Sequence, residues 1–389
     1  MEILTFTTLY PNSVQPHHGV FVENRLRHLV LGGGVNARVV APVPWFPFSA
    51  PLFGRYAVYA KVMPRESRAQ LAIEHPRYLV LPKFGMSVAP SLLAAASLPV
   101  LTRLQRERDF DLIDAHYFFP DGVAAIRLGR RLRKPVVITA RGTDVNLIPE
   151  LPGPRRMIQE AAREAAGIIA VSQALKDAIV GLGIPGERVT VLRNGVDLEL
   201  FQPHAREETR AGLGLFGPTL LSVGHLIERK GHELVIGALP SLPRFRLLIA
   251  GDGPERARLE NLSNALKVSD RVSFLGALPH EQLHKIYAAA DALVLASSRE
   301  GWPNVLLESM ACGTPVVASN IWGNPEVVSR PEAGVLMGER SAAGVAEGVL
   351  RLFRGLPTRA ATRRYAEEFS WDATSEGQLR LFNEILRRR

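Results

Sequence analysis

The sequence lacks most of the features that would take it out of the class of ordinary globular proteins. It contains one cysteine, Cys312, so no disulfide can form within the chain, and no secretory signal pattern opens it. Cys312 has no neighbouring histidine or aspartate that would activate a thiolate, so we expect a packing residue. The longest apolar run, residues 88–101, is interrupted by Pro90 and Pro99 and is shorter than the roughly 20 residues that span a bilayer. These absences predict a cytoplasmic protein without a transmembrane segment.

Length and composition favour two globular domains. A chain of 389 residues exceeds one ordinary core, and 47% hydrophobic with 22% charged residues is a normal globular balance. The net charge of +9 is uneven, because residues 1–198 hold 24 Lys and Arg against 16 Asp and Glu. A basic half favours an anionic partner, such as a membrane surface; solvated helix faces of an arginine-rich protein are the alternative. No nucleic-acid recognition module is evident, so we expect no nucleic-acid partner.

Apolar strands alternate with helical segments through the first half of the chain. The predicted strands are 2–8, 37–42, 77–82, 110–116, 135–140 and 167–172. The predicted helices are 21–33, 91–107, 121–133, 154–165 and 173–181. Residues 43–66 fit neither period well, and we expect a long loop or a loose helical excursion there.

The alternation begins again near residue 218. The predicted strands are 219–224, 246–253, 271–276, 292–297 and 315–320, and the predicted helices are 231–239, 254–267, 280–290 and 303–312. The fold class is therefore α/β, with two doubly wound parallel sheets and with ligands beyond the carboxyl ends of the strands. The tail, residues 369–389, has the pattern of an amphipathic helix that crosses back and packs on the first domain.

The stretch SSREGWPNVLLESMACGTPVVASN, residues 297–320, carries the strongest functional signal. Glu300 lies in a loop before Pro303, a residue favoured at the start of a helix, and Glu308 lies just over one turn inside that helix. A helix start offers unpaired N–H groups that suit a phosphate, and a nearby carboxylate can accept both hydroxyls of a ribose. The stretch therefore predicts a phosphorylated, polyhydroxylated ligand. The alternative is that both glutamates only stabilise the helix dipole.

Four motifs, in this order along the chain, resemble the donor-binding motifs of glycosyltransferase family 4. They are VLRNGVDLELF (191–201), VGHLIERKGHE (223–233), IAGDGPERARLE (249–260) and the stretch 297–320. The resemblance covers nearly the whole chain and implies retaining enzymes of the GT-B fold, two Rossmann-like domains that face each other across a cleft. Three further motifs, HHGVFVENRL (17–26), DAHYFFPDG (114–122) and RGTDVN (141–146), are similar to the branch of teichuronic acid and exopolysaccharide enzymes.

The resemblance implies that residues 199–371 bind a nucleotide-sugar donor. Lys230 is expected to hold the diphosphate, Glu308 the ribose hydroxyls and Glu300 the hydroxyls of the donor sugar. The family usually has an arginine where this chain has His225, so Arg229 is an alternative phosphate ligand. The expected donor-binding residues are Gly224, His225, Arg229, Lys230, Gly251, Gly253, Glu300, Gly301, Trp302, Asn304, Val305 and Glu308.

Residues 1–198, with the crossing helix 372–389, are expected to form the acceptor-binding domain. His116, at the end of a predicted strand, is expected to contact the donor sugar near the reacting carbon, which makes it a third catalytic residue beside Lys230 and Glu300. Gly19, Arg141 and Asp144 are expected at the cleft, in contact with acceptor or donor. For Arg141 and Asp144, an ion pair beneath the loop is equally open.

Two further motifs are set aside. Asp109 and Asp111 have the spacing of a metal-binding motif of another glycosyltransferase fold, but they lead into a buried strand without a second ligand set. The turn 251–254 lacks the third glycine and the later acidic residue of a dinucleotide fingerprint. We therefore expect no metal, no cofactor and no dehydrogenase.

The sequence as a whole predicts a glycosyltransferase. It would move a hexose-type sugar from a nucleotide sugar to a saccharide or lipid-linked acceptor, in cell-surface polysaccharide biosynthesis, with peripheral contact to an anionic membrane. Two alternatives stay open: a GT-B-fold nucleotide-sugar epimerase, and a non-catalytic subunit of a polysaccharide assembly complex. The base of the donor, the sugar, the acceptor and the oligomeric state do not follow from the residues.

Overall fold

The computed structural model describes residues 1–46, 55–80 and 85–388. The chain divides into two compact units: the first is Met1–Asn194 together with the residues from Asp372 onward, and the second is Gly195–Trp371. The strands are β1 (Glu2–Phe6), β2 (Asn36–Val40), β3 (Val43–Pro44), β4 (Arg65–Arg68), β5 (Leu71–Glu74), β6 (Arg77–Tyr78), β7 (Leu112–His116), β8 (Val136–Ala140), β9 (Gly167–Ala170), β10 (Val189–Val191), β11 (Thr219–Val223), β12 (Arg246–Ala250), β13 (Val272–Gly276), β14 (Ala292–Leu295), β15 (Val316–Ala318) and β16 (Gly334–Leu336). The helices are α1 (Val20–Leu31), α2 (Arg55–Ala60), α3 (Gly85–Glu107), α4 (Val123–Leu132), α5 (Thr143–Asn146), α6 (Pro152–Glu164), α7 (Gln173–Gly181), α8 (Arg206–Gly212), α9 (His232–Ala238), α10 (Arg256–Ala265), α11 (Leu283–Ala289), α12 (Asn304–Ala311), α13 (Asn324–Val327), α14 (Ala342–Arg354), α15 (Arg359–Glu367) and α16 (Trp371–Arg387).

The first unit is built on a large sheet with the strand order β10-β9-β8-β7-β1-β2-β5-β4. Neighbouring strands are parallel, apart from the antiparallel pair β4 and β5. Every residue of β7 and β8 is buried, as expected for parallel strands that are covered on both faces. The chain runs outward from β1 in one direction and later returns to β7 on the other side, so the strand order reverses between β1 and β7.

Residues 77–82 do not form a strand of the large sheet, and that part of the prediction is wrong. Only β6 is extended, and it pairs with β3 in a separate two-stranded sheet; residues 81 and 82 lie outside the described residues. The large sheet is extended instead by β5, where buried Leu71 and Ile73 alternate with more exposed neighbours. Of the segment 43–66, the structure describes β3, α2 and the start of β4, while residues 47–54 lie outside the described residues.

Helix α3 is continuous through Pro90 and Pro99 and begins six residues before the predicted helix 91–107. A proline removes one backbone hydrogen bond and crowds the preceding turn, yet burial of one helix face compensates for this cost. The buried residues of α3 are Pro90, Leu93, Ala94, Ser97, Leu101 and Leu104. Within the described ranges, α3 is the one helix long and apolar enough to cross a bilayer, a composition that core helices share.

The second unit contains a six-stranded sheet of order β13-β12-β11-β14-β15-β16 in which all neighbouring strands are parallel. All five strands predicted for this half are present, as β11 to β15. The sequence pattern did not predict β16, α14 or α15. Because the chain runs from β11 outward to β13 and then returns to β14, the strand order reverses between β11 and β14. In open α/β sheets, that reversal leaves a crevice at the carboxyl ends of the two strands.

Helix α16 returns the chain to the first unit, which confirms the prediction for the tail. Its Phe382 and Ile385 are buried in one cluster with Ile3, Val22 and Val137. The apolar side chains of a helix that follows the second sheet therefore complete the core of the first.

Candidate active site

A lysine and a glutamate form an ion pair at the reversal point of the second unit. Lys230 ends a short 3₁₀ turn after β11, and Glu300 lies in the loop after β14. The Lys230 ammonium donates to Glu300 Oε1 over 2.7 Å, with the two side chains 16% and 10% exposed. Because β11 and β14 are adjacent parallel strands, their carboxyl ends bring together two residues that are far apart in sequence.

Glu300 is ionised in spite of its burial. Burial raises the pKa of a carboxyl group, but the charge and hydrogen bond of Lys230 outweigh this effect and hold the pKa of Glu300 below its usual range. Arg229 is more distant: its Nη1 lies 3.9 Å from Glu300 Oε2 and donates to the Arg299 carbonyl at 2.7 Å. An ammonium has three donors and a carboxylate about four acceptor positions, so the pair keeps capacity for a ligand.

The loops after β11 and β12 approach each other backbone to backbone. Gly251 has φ 152°, and a Cβ on it would lie 1.9 Å from the carbonyl oxygen of Gly224. Gly253 makes a similar close approach to the loop after β11. His225 Nδ1 lies 2.5 Å from the carbonyl oxygen of Asp252. These predicted donor-binding residues therefore join the two loops; their contact with a ligand stays a prediction.

The backbone amides predicted to face a phosphate belong to the first turn of α12. Asn304 and Val305 are the first two residues of this helix, and Gly301 lies in the loop before it. The Asn304 amide donates to the Trp302 carbonyl at 3.1 Å. The Trp302 side chain is 6% exposed, with its ring centre 6.3 Å from that of Phe369. The indole is therefore largely buried, and the contact of Trp302 with a donor stays a prediction.

Glu308 is held by two side chains that the sequence analysis did not single out. The Tyr287 hydroxyl donates to Glu308 Oε2 at 2.8 Å, and His280 Nε2 lies 3.1 Å from Oε1. Burial raises the pKa of Tyr287 well above its usual value, so the phenol remains a donor. Burial lowers the pKa of His280, but the hydrogen bond and charge of Glu308 outweigh it and the net pKa is raised. Both partners lie within the predicted helix 280–290, where nothing in the pattern distinguished them from ordinary helical residues.

In the first unit, His116 is the last residue of β7 and is 1% exposed. Its Nδ1 accepts a hydrogen bond from Arg141 Nη2 at 2.6 Å, and its Nε2 lies 3.2 Å from Asp114 Oδ2. Burial lowers the pKa of His116 to about 4 in spite of the attraction of Asp114, so the ring is neutral with its proton on Nε2. Protein groups therefore occupy both ring nitrogens. The catalytic role expected for His116 stays a prediction.

Arg25, Asp114 and Gln378 complete a buried polar cluster that the sequence analysis missed. Arg25 Nε donates to Gln378 Oε1 at 2.7 Å, and Gln378 Nε2 donates to Asp114 Oδ2 at 3.0 Å. Arg25 and Arg141 also each donate to Asn194 Oδ1, at 3.3 and 3.2 Å. Burial lowers the pKa of Arg25 to about 10 and that of Arg141 to about 9, so both are charged at neutral pH. The one signal in the sequence that could have indicated this cluster was Asp114, a carboxylate inside the apolar strand predicted over residues 110–116.

The other two residues expected at the cleft support loops of the first unit. Asp144 is fully buried and accepts backbone N–H groups of Gly142 and Phe118, each at 2.7 Å. Burial raises the pKa of Asp144 against the effect of these hydrogen bonds. Gly19 precedes α1 with φ 74°, and a Cβ there would lie 2.3 Å from the carbonyl oxygen of Leu9. Only glycine fits that position, because any side chain would collide with the backbone of the same loop at Leu9.

Two family profiles match nearly the whole chain. The family described as "Glycosyltransferase Family 4" matches residues 34–200, and "Glycosyl transferases group 1" matches residues 206–369. The chain is 31% identical to the "Putative teichuronic acid biosynthesis glycosyltransferase TuaC" of Bacillus subtilis, over 90% of this chain and 89% of that protein. It is 33% identical to the D-inositol 3-phosphate glycosyltransferase of Frankia alni, over 71% of this chain and 75% of that protein.

Solved structures share the fold at low sequence identity. Sucrose-phosphate synthase from Thermosynechococcus elongatus superposes with a TM-score of 0.80 and 20% identity, over 100% of this chain and 99% of that one. HepE from Anabaena, solved in complex with UDP, superposes with a TM-score of 0.75 and 22% identity, over 99% of this chain and 100% of that one. These matches confirm the predicted fold class. The chain therefore belongs to glycosyltransferase family 4 and is a glycosyltransferase of the GT-B fold.

Proposed function

We propose that this protein is a retaining glycosyltransferase that takes a hexose-type sugar from a nucleotide sugar bound by the second unit. The observation that carries the proposal is the Lys230–Glu300 pair at the reversal point between β11 and β14. Its ammonium is suited to a diphosphate and its carboxylate to sugar hydroxyls. Glu308, eight positions further along, supplies a second carboxylate for a ribose. Related structures support the donor class, because HepE was solved with UDP and with UDP-glucose.

In the proposed reaction, the bond between the anomeric carbon and the diphosphate oxygen breaks, and its electron pair stays on the diphosphate. The acceptor oxygen forms the new bond on the same face of the sugar, and its proton passes to the leaving phosphate. Lys230 would stabilise the negative charge that grows on the diphosphate, together with the amides at the start of α12. Glu300 would hold the sugar hydroxyls while positive charge grows on the ring. No protein nucleophile and no metal is required in this scheme.

The acceptor is proposed to be a saccharide or a lipid-linked saccharide of cell-surface polysaccharide synthesis. The similarity to TuaC, described as a putative teichuronic acid biosynthesis glycosyltransferase, supports this class. We place acceptor binding on the first unit, where Arg141 and the loop at Gly19 lie at the carboxyl ends of β8 and β1. His116 would act there by keeping Arg141 in place as well as through its predicted contact with the sugar.

Binding and product analysis with a panel of donors tests the proposal. UDP-, GDP- and ADP-sugars are compared by thermal shift, and the best stabiliser is then incubated with saccharide acceptors in the presence of EDTA. A ligand at about 100 times its Kd should raise the free energy of unfolding by about 2.7 kcal/mol, a shift of several degrees. In the Glu300→Gln variant, the nucleoside diphosphate should still raise the melting temperature, but the additional rise that the sugar of the donor gives should be lost. If no nucleotide sugar stabilises the protein, or if donor alone is epimerised, the proposal is wrong.

We also propose that the first unit attaches peripherally to an anionic membrane. Apolar side chains are exposed around β3, β6 and the start of α3, including Trp45, Leu79, Val80 and Met86, which are between 40% and 52% exposed. An open pocket of about 360 Å³ is lined by Leu79, Val80, Met86 and Leu92 among others. The net positive charge of residues 1–198 is complementary to the negative charge of an anionic membrane surface.

Vesicle sedimentation tests this attachment. The protein should pellet with vesicles that contain anionic lipid at low salt and less with neutral vesicles, because Lys and Arg near an anionic surface contribute roughly 1 kcal/mol each. The double variant Leu79→Ser/Met86→Ser should weaken binding, while Leu350→Ser, an exposed leucine of the second unit, should not. Failure of the wild type to pellet with anionic vesicles at low salt would remove this part of the proposal.

A further inference from the structure

The Glu308 carboxylate is fixed in orientation by donors on both of its oxygens. Tyr287 is fully buried on α11, and His280 lies on the short turn that precedes this helix. The Phe201 ring meets both edge-on, with ring centres 5.1 Å from that of His280 and 6.0 Å from that of Tyr287. Packing against Phe201 limits the rotation of both donor side chains. The direction of the carboxylate is therefore set by three rings and not by its own helix alone.

The remaining hydrogen-bonding capacity of this carboxylate matches a vicinal diol. An ionised carboxylate has about four acceptor positions, two on each oxygen. Tyr287 uses one position on Oε2 and His280 uses one on Oε1, which leaves about one position on each oxygen. Two hydroxyls on adjacent carbons of a ribose fit such a pair of acceptors. A carboxylate free to rotate would present this pair only part of the time.

We propose that His280 and Tyr287 are positioning residues that orient Glu308 toward both ribose hydroxyls, and so set the preference of the protein for ribonucleotides over 2′-deoxyribonucleotides. This inference depends on the proposed function, because it takes Glu308 as the ligand of the donor ribose. It adds that the preference requires the two ring donors, and that removal of either should weaken ribonucleotides selectively.

His280 and Tyr287 differ in their response to pH. Tyr287 stays protonated over the whole working range and is a constant donor. His280 is 20% exposed in its side chain and faces the carboxylates of Glu308, Glu281 and Asp197, which raise its pKa against the effect of burial. When His280 is protonated, both ring nitrogens are donors and Nε2 must donate to Glu308. When it is neutral, the tautomer with its proton on Nε2 still donates to Glu308, but the hydrogen bond loses its charge assistance and the orientation weakens.

The test is the dissociation constant of nucleoside diphosphates, measured by calorimetry on the full chain. UDP, GDP and ADP are each paired with the 2′-deoxy counterpart, and the tightest pair is followed from pH 5.5 to 9. The wild type should prefer the ribonucleotide by about tenfold or more, the size of one hydrogen bond to a charged group. The preference should fall as pH rises through the His280 pKa, which lies above 6.5.

The variants separate orientation from general packing. His280→Ala and Tyr287→Phe should each lower the preference to about two- or threefold, through weaker ribonucleotide binding and unchanged binding of the 2′-deoxy form. His280→Gln has an amide donor but no titration, so it should keep most of the preference and lose its pH dependence. Glu308→Gln should abolish the preference.

The outcomes separate this inference from the proposed function. If the wild type shows the preference and Glu308→Gln loses it, while His280→Ala and Tyr287→Phe retain it or weaken both nucleotides equally, the inference is wrong and the proposed function stands. A pH dependence that survives in His280→Gln also contradicts it. If none of the three ribonucleotides binds, both the inference and the proposed function are wrong.

Discussion

Replacement of Lys230 by alanine is expected to lower the turnover number of sugar transfer by about 10²–10³-fold, with a smaller effect on the KM for the donor. The reason is that charge grows on the diphosphate only as the glycosidic bond breaks, so the ammonium contributes more to the transition state than to donor binding. Lys230 is only 16% exposed, and its charge is therefore less screened than that of a surface lysine. Initial rates under saturating donor, with thermal unfolding to verify the fold, measure the effect.

Arg229→Ala is the matched control for this prediction. Arg229 is the preceding residue and is also cationic, but its guanidinium donates to the Arg299 carbonyl and lies 3.9 Å from Glu300. We expect the turnover number of the Arg229→Ala variant to be lower than that of the wild type by less than about tenfold. In Lys230→Ala the pKa of Glu300 should rise, because the charge that lowers it is gone, and the rate should become dependent on pH in the acidic range. Equal losses in the two variants, or wild-type turnover without Lys230, would contradict the assignment of the diphosphate to Lys230.

The positions of Lys230 and Glu300 at strand ends could be predicted from the sequence, because each follows an apolar strand and lies in a distinctive motif. Their pairing could not be predicted. Lys230 and Glu300 are 70 positions apart, and they meet because β14 lies beside β11 and not beside β13, which precedes it in the chain. Strand order is a property of the whole sheet, whereas motif spacing is local. The same limit explains why His280 and Tyr287 were missed as partners of Glu308.

The fold could be predicted wherever apolar runs were long enough to distinguish the pattern of a strand from that of a helix. The strands of the second unit satisfied this condition, and β11 to β15 were all predicted. In residues 77–82 the run was short, and the pattern could not show that β5, an alternating strand, would occupy the sheet position instead. The predicted helix 91–107 contained Pro99 but began after Pro90, whereas α3 contains both prolines, and packing of its buried face compensates for the local penalty.

The buried cluster of the first unit marks a different limit of sequence reasoning. Gln378 lies 264 positions from Asp114 and reaches it from α16, and the two arginines come from α1 and from the loop after β8. Only the return of α16 to the first unit brings these groups together. Two guanidiniums and one carboxylate, each at most 9% exposed, depend on one another for charge balance.

Asp114→Asn is therefore expected to destabilise the first unit by about 3–5 kcal/mol, because it leaves the charges of Arg25 and Arg141 buried without their carboxylate. Asp109→Asn is the control: Asp109 also pairs with a cation, Lys134, but its side chain is 62% exposed, and the expected loss is below about 1 kcal/mol. Burial opposes ionisation of Asp114, but His116, Arg25 and Arg141 hold its pKa below the usual 3.8. The stabilisation should therefore be complete above pH 3.8 and be lost as pH falls through this lower value. Hydrogen exchange measured on peptides of β7 and β8 reports the first unit separately from the second. Protection in Asp114→Asn equal to that in Asp109→Asn would show that the cluster does not depend on this carboxylate.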